Sequence, residues 1–165
     1  DIKVIWLDAG LHSDLNLLEN ELLSAIDNAK SIGNADVKIL YGNGCLPTIK
    51  SIADSKGVHI IPTKNCLSAF LGEEKSIELE QNNTMLMTPT WVRVWPANMK
   101  RFFGWNEVDF RMNLGRYERI LVLDSGINSL TEDEILEFFD LVQVPIETTS
   151  LNLDHFHNIL NLLLR

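Results

Sequence analysis

Short apolar runs alternate with amphipathic helical patterns along the chain, and this alternation constrains the fold more than any other feature. Runs with the length and composition of strands lie at 2–7, 37–41, 58–61, 84–87, 120–123 and 144–148. Between them, apolar residues recur at helical spacing, as in Leu15, Leu18, Leu22 and Ile26. Strands separated by helices favour a mostly parallel sheet with helices on both faces. The sequence therefore predicts an α/β, Rossmann-like fold, with the run that holds Pro145 at an edge of the sheet.

The segment 90–116 departs from this alternation. Its aromatic residues are Trp91, Trp95, Phe102, Phe103, Trp105 and Phe110, and arginines are interleaved with them. We expect an aromatic-rich helical insertion of two short helices broken near Gly104. It would cover the rim of the sheet or present a surface to a partner, with Trp91 nearest to a pocket.

Size and charge exclude several classes of protein. The chain has 165 residues, 45% of them hydrophobic, which suits one domain over 1–165; its ends suggest truncation relative to a longer protein. Its net charge of −9 and the lack of a basic block argue against nucleic acid and anionic membranes as partners. Two cysteines in a chain of this length do not make a disulfide scaffold, so we expect a cytoplasmic protein. Tryptophans expected at the surface favour an oligomer.

The residues that follow the predicted strands indicate where a site lies. In an open parallel α/β sheet, ligands bind outside the carboxyl ends of the strands. The residues expected to bind a ligand there are Asp8, Gly10, His12, Tyr41, Gly42, Gly44, Trp91 and Asp124. Cys45 and Cys66 lie on the same predicted rim, each close to the start of a predicted helix. The helix dipole is expected to lower the pKa of a thiol at that position.

Three kinds of chemistry remain open for these residues. His12, Cys45 and Cys66 have the ligand types of a zinc site that keeps one position open. The two cysteines could instead form a redox pair, or be small semi-buried residues. The turn Gly42-Asn43-Gly44 resembles the start of a phosphate-binding loop, so it is either an anion cradle or a plain tight turn.

Several segments together resemble an uncharacterised family of methanogenic archaea and anaerobic bacteria. They are Trp6-Leu7-Asp8-Ala9-Gly10-Leu11-His12, Leu40-Tyr41-Gly42, Ile61-Pro62 through Asn65-Cys66, Phe70-Leu71-Gly72 and Met87-Thr88-Pro89-Thr90-Trp91. The chain departs from the family pattern in three places. Cys45 stands one residue late, Asn65 replaces an acid, and Thr90 replaces a glycine.

The resemblance implies a place in metabolism, because genes of that family often lie beside corrinoid-dependent methyltransferases. Our leading hypothesis is therefore an accessory protein of one-carbon or corrinoid methyl metabolism that binds a small anionic ligand or a metal. Asp8 would orient His12, Trp91 would cover the site, and a corrinoid methyltransferase system would be the protein partner. The alternatives are a zinc-thiolate methyl- or alkyl-transfer enzyme and an interaction module without a ligand, whose surface would be the aromatic stretch.

Overall fold

The computed structural model describes residues 2–33, 36–61 and 63–165. Pro62, which belongs to one of the family-like segments, lies outside the described residues. The chain divides into two compact units. Unit 1 comprises the residues up to Ala69 together with Asp154–Arg165, and unit 2 comprises Phe70–Leu153. The expectation of a single domain stays a prediction, and each unit is considered by itself below.

Unit 1 is built around a pair of short parallel strands. Its elements are a 3-10 helix (Ala9–Ser13), α1 (Leu15–Lys30), β1 (Lys38–Ile39), α2 (Ile49–Lys56), β2 (His59–Ile60), the start of α3 (Cys66–Leu71) and α8 (Asp154–Leu163). β1 pairs with β2 in parallel, with Lys38 opposite His59. Helix α1 begins after Asp14, whose carboxylate accepts hydrogen bonds from the backbone N–H groups of Asn16 and Leu17. That cap and the buried stripe of α1 position the helix against the unit 1 core.

The unit 1 core is aliphatic. Its buried members are Leu18, Leu22, Ile26, Ile39, Leu46, Ile49 and Ile52. They come from α1, β1, α2 and the turn before α2. Tyr41 and Leu11 pack against this cluster. The segments that carry the predicted site therefore pack against this core through Leu11 and Tyr41.

The first predicted strand is wrong. Residues 2–7 have no regular secondary structure, and Ile2, Val4 and Trp6 are 71%, 57% and 84% exposed. Only Leu7 of this run packs against the unit 1 core. An apolar run becomes a buried strand only where neighbouring backbone satisfies its N–H and C=O groups, and apolar composition alone does not supply that neighbour.

Unit 2 holds a three-stranded parallel sheet. Its elements are α4 (Glu73–Glu80), β3 (Thr84–Met87), α5 (Pro89–Phe103), α6 (Glu107–Leu114), β4 (Arg119–Asp124), α7 (Glu132–Val142) and β5 (Ile146–Ser150). The strand order is β3-β4-β5, with both pairings parallel. The run with Pro145 therefore leads into an edge strand, as predicted. The α/β class and the parallel pairing are confirmed, although the described strands form two small sheets instead of one.

The aromatic segment is part of the unit 2 core. Trp95 and Phe110 are 8% and 0% exposed. The rings of Trp95, Trp105 and Phe110 meet edge to face, with centroids 5.2–5.6 Å apart. Two helices broken at Gly104, which adopts φ 65°, are confirmed. The rings of Trp95, Trp105 and Phe110 stabilise one another inside the unit, and a partner surface on the aromatic stretch stays a prediction.

No helix among the described residues is both long enough and apolar enough to cross a membrane.

Candidate functional site

Two turns meet at the carboxyl ends of β1 and β2 in unit 1. Gly42 pairs with Thr63 as an isolated parallel bridge. The backbone N–H of Asn43 donates to the Thr63 carbonyl at 2.9 Å, and the N–H of Gly44 donates to the Lys64 carbonyl at 2.8 Å. These bonds extend the strand pairing past the strand ends and hold the two turns side by side.

Glycine is required where these turns touch. A Cβ atom at Gly42 would lie 2.6 Å from the carbonyl oxygen of Lys64 and 2.7 Å from the Cα of Asn65. A Cβ at Gly44 would lie 2.8 Å from the same carbonyl oxygen. Both obstacles are backbone atoms, so a side chain at either position forces the two turns apart.

The backbone N–H groups of residues 43–46 favour a plain tight turn, and an anion cradle stays a prediction. The N–H groups of Asn43 and Gly44 bind the opposite turn, and those of Cys45 and Leu46 both donate to the Gly42 carbonyl. An anion cradle needs several backbone N–H groups that point at the ligand. Here these four N–H groups donate to carbonyl oxygens of the protein. The glycines allow two backbone segments to lie against each other.

The same register brings the two cysteines together. Cys45 stands three residues after Gly42, and Cys66 stands three residues after Thr63, the bridge partner of Gly42. The backbone N–H of Cys66 donates a hydrogen bond to the Cys45 sulfur. Both cysteines are free; Cys45 is half-buried and Cys66 is exposed. The structure therefore holds a pair of thiols at the carboxyl end of the β1–β2 pair.

Both thiols resist ionisation, contrary to the sequence-based expectation. Desolvation by surrounding protein atoms raises the pKa of Cys45, and the nearby Cys66 raises it further. Desolvation also raises the pKa of Cys66, although the N–H groups of Leu67 and of Cys66 itself oppose the change. Removal from water outweighs the hydrogen bonds that would favour the thiolate. At neutral pH the pair is therefore protonated and uncharged.

A hydrogen-bonded histidine and tyrosine belong to the same site. Asp8 accepts a hydrogen bond from the Gly10 N–H at 2.6 Å and caps the 3-10 helix that carries His12. The Nδ1 atom of His12 lies 3.0 Å from the Ala9 carbonyl oxygen, and its Nε2 atom lies 3.2 Å from the Tyr41 hydroxyl. The two rings stack with centroids 5.8 Å apart.

The protons of this pair can be assigned. Desolvation, followed by the nearby Cys45 and Cys66, raises the pKa of Tyr41 to about 12. The tyrosine therefore keeps its proton. The Ala9 carbonyl can only accept a hydrogen bond, so the His12 Nδ1 that faces it carries a proton.

The predicted three-residue metal site is not assembled. Over the described ranges, no three His, Cys, Asp or Glu side chains are grouped so that they could hold a metal ion. Both ring nitrogens of His12 lie within hydrogen-bond distance of other groups, so the imidazole is not presented together with the thiols. Zinc bound by His12, Cys45 and Cys66 is therefore not supported by the geometry.

The remaining two predicted ligand-binding residues belong to unit 2. Asp124 accepts a hydrogen bond from the Gly126 N–H at 2.8 Å, and that bond, with Ser129 and Arg93, keeps the pKa of Asp124 below its usual value. Trp91 packs against the unit 2 core. The predicted role of each residue at a ligand stays a prediction.

Thr63 follows a predicted strand on the same rim but is not among the residues predicted to bind a ligand. It forms the bridge with Gly42, and its buried hydroxyl oxygen has no hydrogen-bond partner among the described residues. Its position after a predicted parallel strand is the signal that points to it.

Comparison with known proteins identifies a family. A family model described as "Protein of unknown function (DUF1638)" matches residues 6–160. Neither the curated proteins nor the solved structures contain a significant match to the chain.

Proposed function

Because this chain belongs to the DUF1638 family, whose description names no activity, we propose a function from the site: binding of a small, thiol-seeking ligand by Cys45 and Cys66. The observation that carries the proposal is the Gly42–Thr63 bridge. Cys45 stands three residues after Gly42, and Cys66 stands three residues after Thr63, so the two cysteines lie in neighbouring hydrogen-bonded turns. A ligand that forms two bonds to sulfur therefore meets both partners without a rearrangement of the backbone.

The protonation of the site supports this class of ligand. Two neutral thiols beside a neutral Tyr41 offer little attraction to a hard cation, which prefers charged oxygen ligands. A soft centre forms bonds to sulfur strong enough to displace the thiol protons. The hydroxyl oxygen of Tyr41, which also contacts His12, can still accept a hydrogen bond from the rest of such a ligand.

Phenylarsine oxide tests the proposal directly, because its arsenic(III) forms bonds to two neighbouring thiols with loss of water. We expect native mass spectrometry of the reduced chain to show one arsenical per molecule. Cys45→Ser and Cys66→Ser should each weaken binding about 100-fold or more, since a single thiol loses the chelate advantage. Ser51→Ala, on the exposed side of α2, is the control and should bind like the unaltered chain. Equal weak binding by all four proteins contradicts the proposal.

The metabolic setting forms a further part of the proposal. A role beside corrinoid methyl transfer, with a corrinoid methyltransferase system as partner, is supported by the motif resemblance that contains Cys66 and Trp91. Incubation of the purified chain with such a methyltransferase system, followed by size-exclusion chromatography, tests it. Co-elution that is retained with Phe103→Ala but lost with Cys66→Ser is the result expected for a partner that engages the thiol site.

A further inference from the structure

The two cysteines are placed differently, and this difference assigns them different chemical roles. We propose that Cys45 and Cys66 form a reversible disulfide by exchange with a low-molecular-weight disulfide, that Cys66 is the attacking thiol, and that the disulfide closes the ligand site. The effect on ligand binding rests on the function proposed above, whereas disulfide formation does not.

The backbone register makes the bond geometrically accessible. Neighbouring paired strands lie about 4.8 Å apart, and a disulfide requires Cα atoms within about 7 Å of each other. The bridge at Gly42 and Thr63 and the hydrogen bond from Gly44 to Lys64 maintain the pairing up to the residue before Cys45. The hydrogen bond from the Cys66 N–H to the Cys45 sulfur shows that the two residues touch beyond it.

Exposure separates the attacking thiol from the resolving thiol. As whole residues, Cys66 is exposed and Cys45 is half-buried, although surrounding protein atoms desolvate both sulfurs. The backbone N–H groups of Leu67 and of Cys66 itself donate hydrogen bonds to the Cys66 sulfur. These bonds stabilise negative charge on that sulfur during attack. We therefore expect a disulfide in solution to react first at Cys66, the residue more open to solvent, and Cys45 to attack the product.

The exchange has two balanced steps. The Cys66 sulfur attacks one sulfur of a small disulfide RSSR, forms a Cys66–S–S–R mixed disulfide, and releases RS⁻, which takes up the Cys66 proton. The Cys45 sulfur then attacks the Cys66 sulfur and displaces the second RS⁻, which takes up the Cys45 proton. The two protein thiols are oxidised to one disulfide, and RSSR is reduced to two molecules of RSH.

Oxidised glutathione and intact-mass spectrometry test the assignment in the full chain. We expect the unaltered chain to lose two hydrogens without accumulating a glutathione adduct. Cys45→Ser should accumulate the mixed disulfide, because its resolving thiol is missing, while Cys66→Ser should react several-fold more slowly. In concentrated urea both variants should react at equal rates, since the difference in access disappears. Two glutathione adducts on the unaltered chain, or faster reaction of Cys66→Ser in the native state, would overturn the proposal.

A second measurement separates this inference from the proposed function. The oxidised chain should not bind phenylarsine oxide, and reduction with dithiothreitol followed by removal of the reductant should restore binding. Binding by the reduced chain without disulfide formation refutes this inference alone. Disulfide formation in a chain that does not bind the arsenical when reduced refutes the proposed function and leaves disulfide exchange standing.

Discussion

Two glycines illustrate how one residue type can satisfy two unrelated requirements. Gly42 and Gly44 match the spacing at the start of a phosphate-binding turn, where the lack of a side chain exposes backbone N–H groups to a ligand. In the structure, the lack of a Cβ atom at each glycine instead lets the Lys64 carbonyl lie against the turn. The sequence shows that a close approach is needed at this turn. It does not show that the approaching group is a second segment of the same chain.

Gly42→Ala tests this explanation. The added methyl group meets backbone atoms at 2.6 and 2.7 Å, so we expect the free energy of unfolding to fall by about 1–3 kcal/mol. The turns should also separate, and arsenical binding should weaken. Urea denaturation and native mass spectrometry measure the two effects.

Gly104→Ala is the matched control. Gly104 has φ 65° with no atom within 4 Å of a new Cβ, so its substitution should cost about 1–2 kcal/mol through backbone strain alone. Arsenical binding in unit 1 should be unchanged. Normal binding by Gly42→Ala would show that the close approach of the turns does not position the thiols.

The cysteines show why local position is a weak guide to ionisation. Proximity to a predicted helix start predicts a lowered pKa for Cys45 and Cys66. Cys45 instead lies four residues before α2 begins at Ile49, and desolvation dominates at both thiols. Desolvation depends on which atoms pack around a sulfur, and those atoms come from segments that are distant in sequence.

Helix α7 has two stabilising interactions, a capping box within its first turn and an ion pair with a residue distant in sequence. Thr131 and Glu134 form the capping box that their spacing predicts, with the Thr131 N–H donating to Glu134 at 2.8 Å. Glu134 also accepts two hydrogen bonds from the Arg93 guanidinium, at 2.6 and 2.9 Å. The capping box is a pattern within four residues, whereas the ion pair joins α7 to α5 and exists only in the folded unit.

Glu134→Gln tests the contribution of that ion pair through its pH dependence. The hydrogen bonds from Arg93, followed by that from Thr131, lower the pKa of Glu134 from 4.5 to about 2. A lowered pKa in the folded state means that the ionised carboxylate stabilises the fold above pH 4.5, and that this contribution disappears as the pH falls toward 2. We expect the variant to be less stable at pH 7 and to approach the unaltered chain in stability near pH 2.

Urea denaturation at a series of pH values measures this convergence. Glutamine can still accept the capping hydrogen bond, so the helix start is retained. Glu132→Gln removes a carboxylate from the same turn of α7 and is the control. The difference in unfolding free energy between this variant and the unaltered chain should not shrink in the same way toward pH 2. A Glu134→Gln difference that is constant from pH 7 to pH 2 would exclude the ion pair as its source.

Helix boundaries also depended on glycine conformation. The pattern from Cys66 to Leu79 predicts one helix, but the chain forms α3 and α4 on either side of Gly72, which adopts φ 82°. The apolar spacing is compatible with either arrangement. Only the backbone conformation of Gly72 separates them.

At the scale of the whole molecule, the division into two units follows the path of the chain. Unit 2 is one continuous segment with its own aromatic core and its own three-stranded sheet. Unit 1 needs two segments, because α8 from the end of the chain belongs with the residues up to Ala69. Unit 2 therefore has what an independently folding piece requires, and unit 1 lacks covalent continuity.

A fragment covering Phe70–Leu153 tests this difference. We expect it to keep its helical circular dichroism and to unfold cooperatively, because its core residues all lie inside the fragment. Phe110→Ala should abolish or strongly weaken that transition, since truncation of a buried phenylalanine costs about 3–5 kcal/mol. Phe103→Ala, at an exposed position, should leave it nearly unchanged. A fragment without a cooperative transition would show that unit 2 does not fold on its own.

The sequence alone determined the features that depend on neighbouring residues: the α/β class, the parallel pairing, the capping box at Thr131, and the break near Gly104. Their physical basis is local, because periodicity and capping act within one or two turns of chain. The tertiary structure decided that residues 2–7 form no strand, that the aromatic segment is core, and that the Lys64 carbonyl lies against Gly42 and Gly44. It also paired Cys45 with Cys66 and kept both thiols protonated. These outcomes depend on which distant atoms come into contact and exclude water, and a single sequence does not record those contacts.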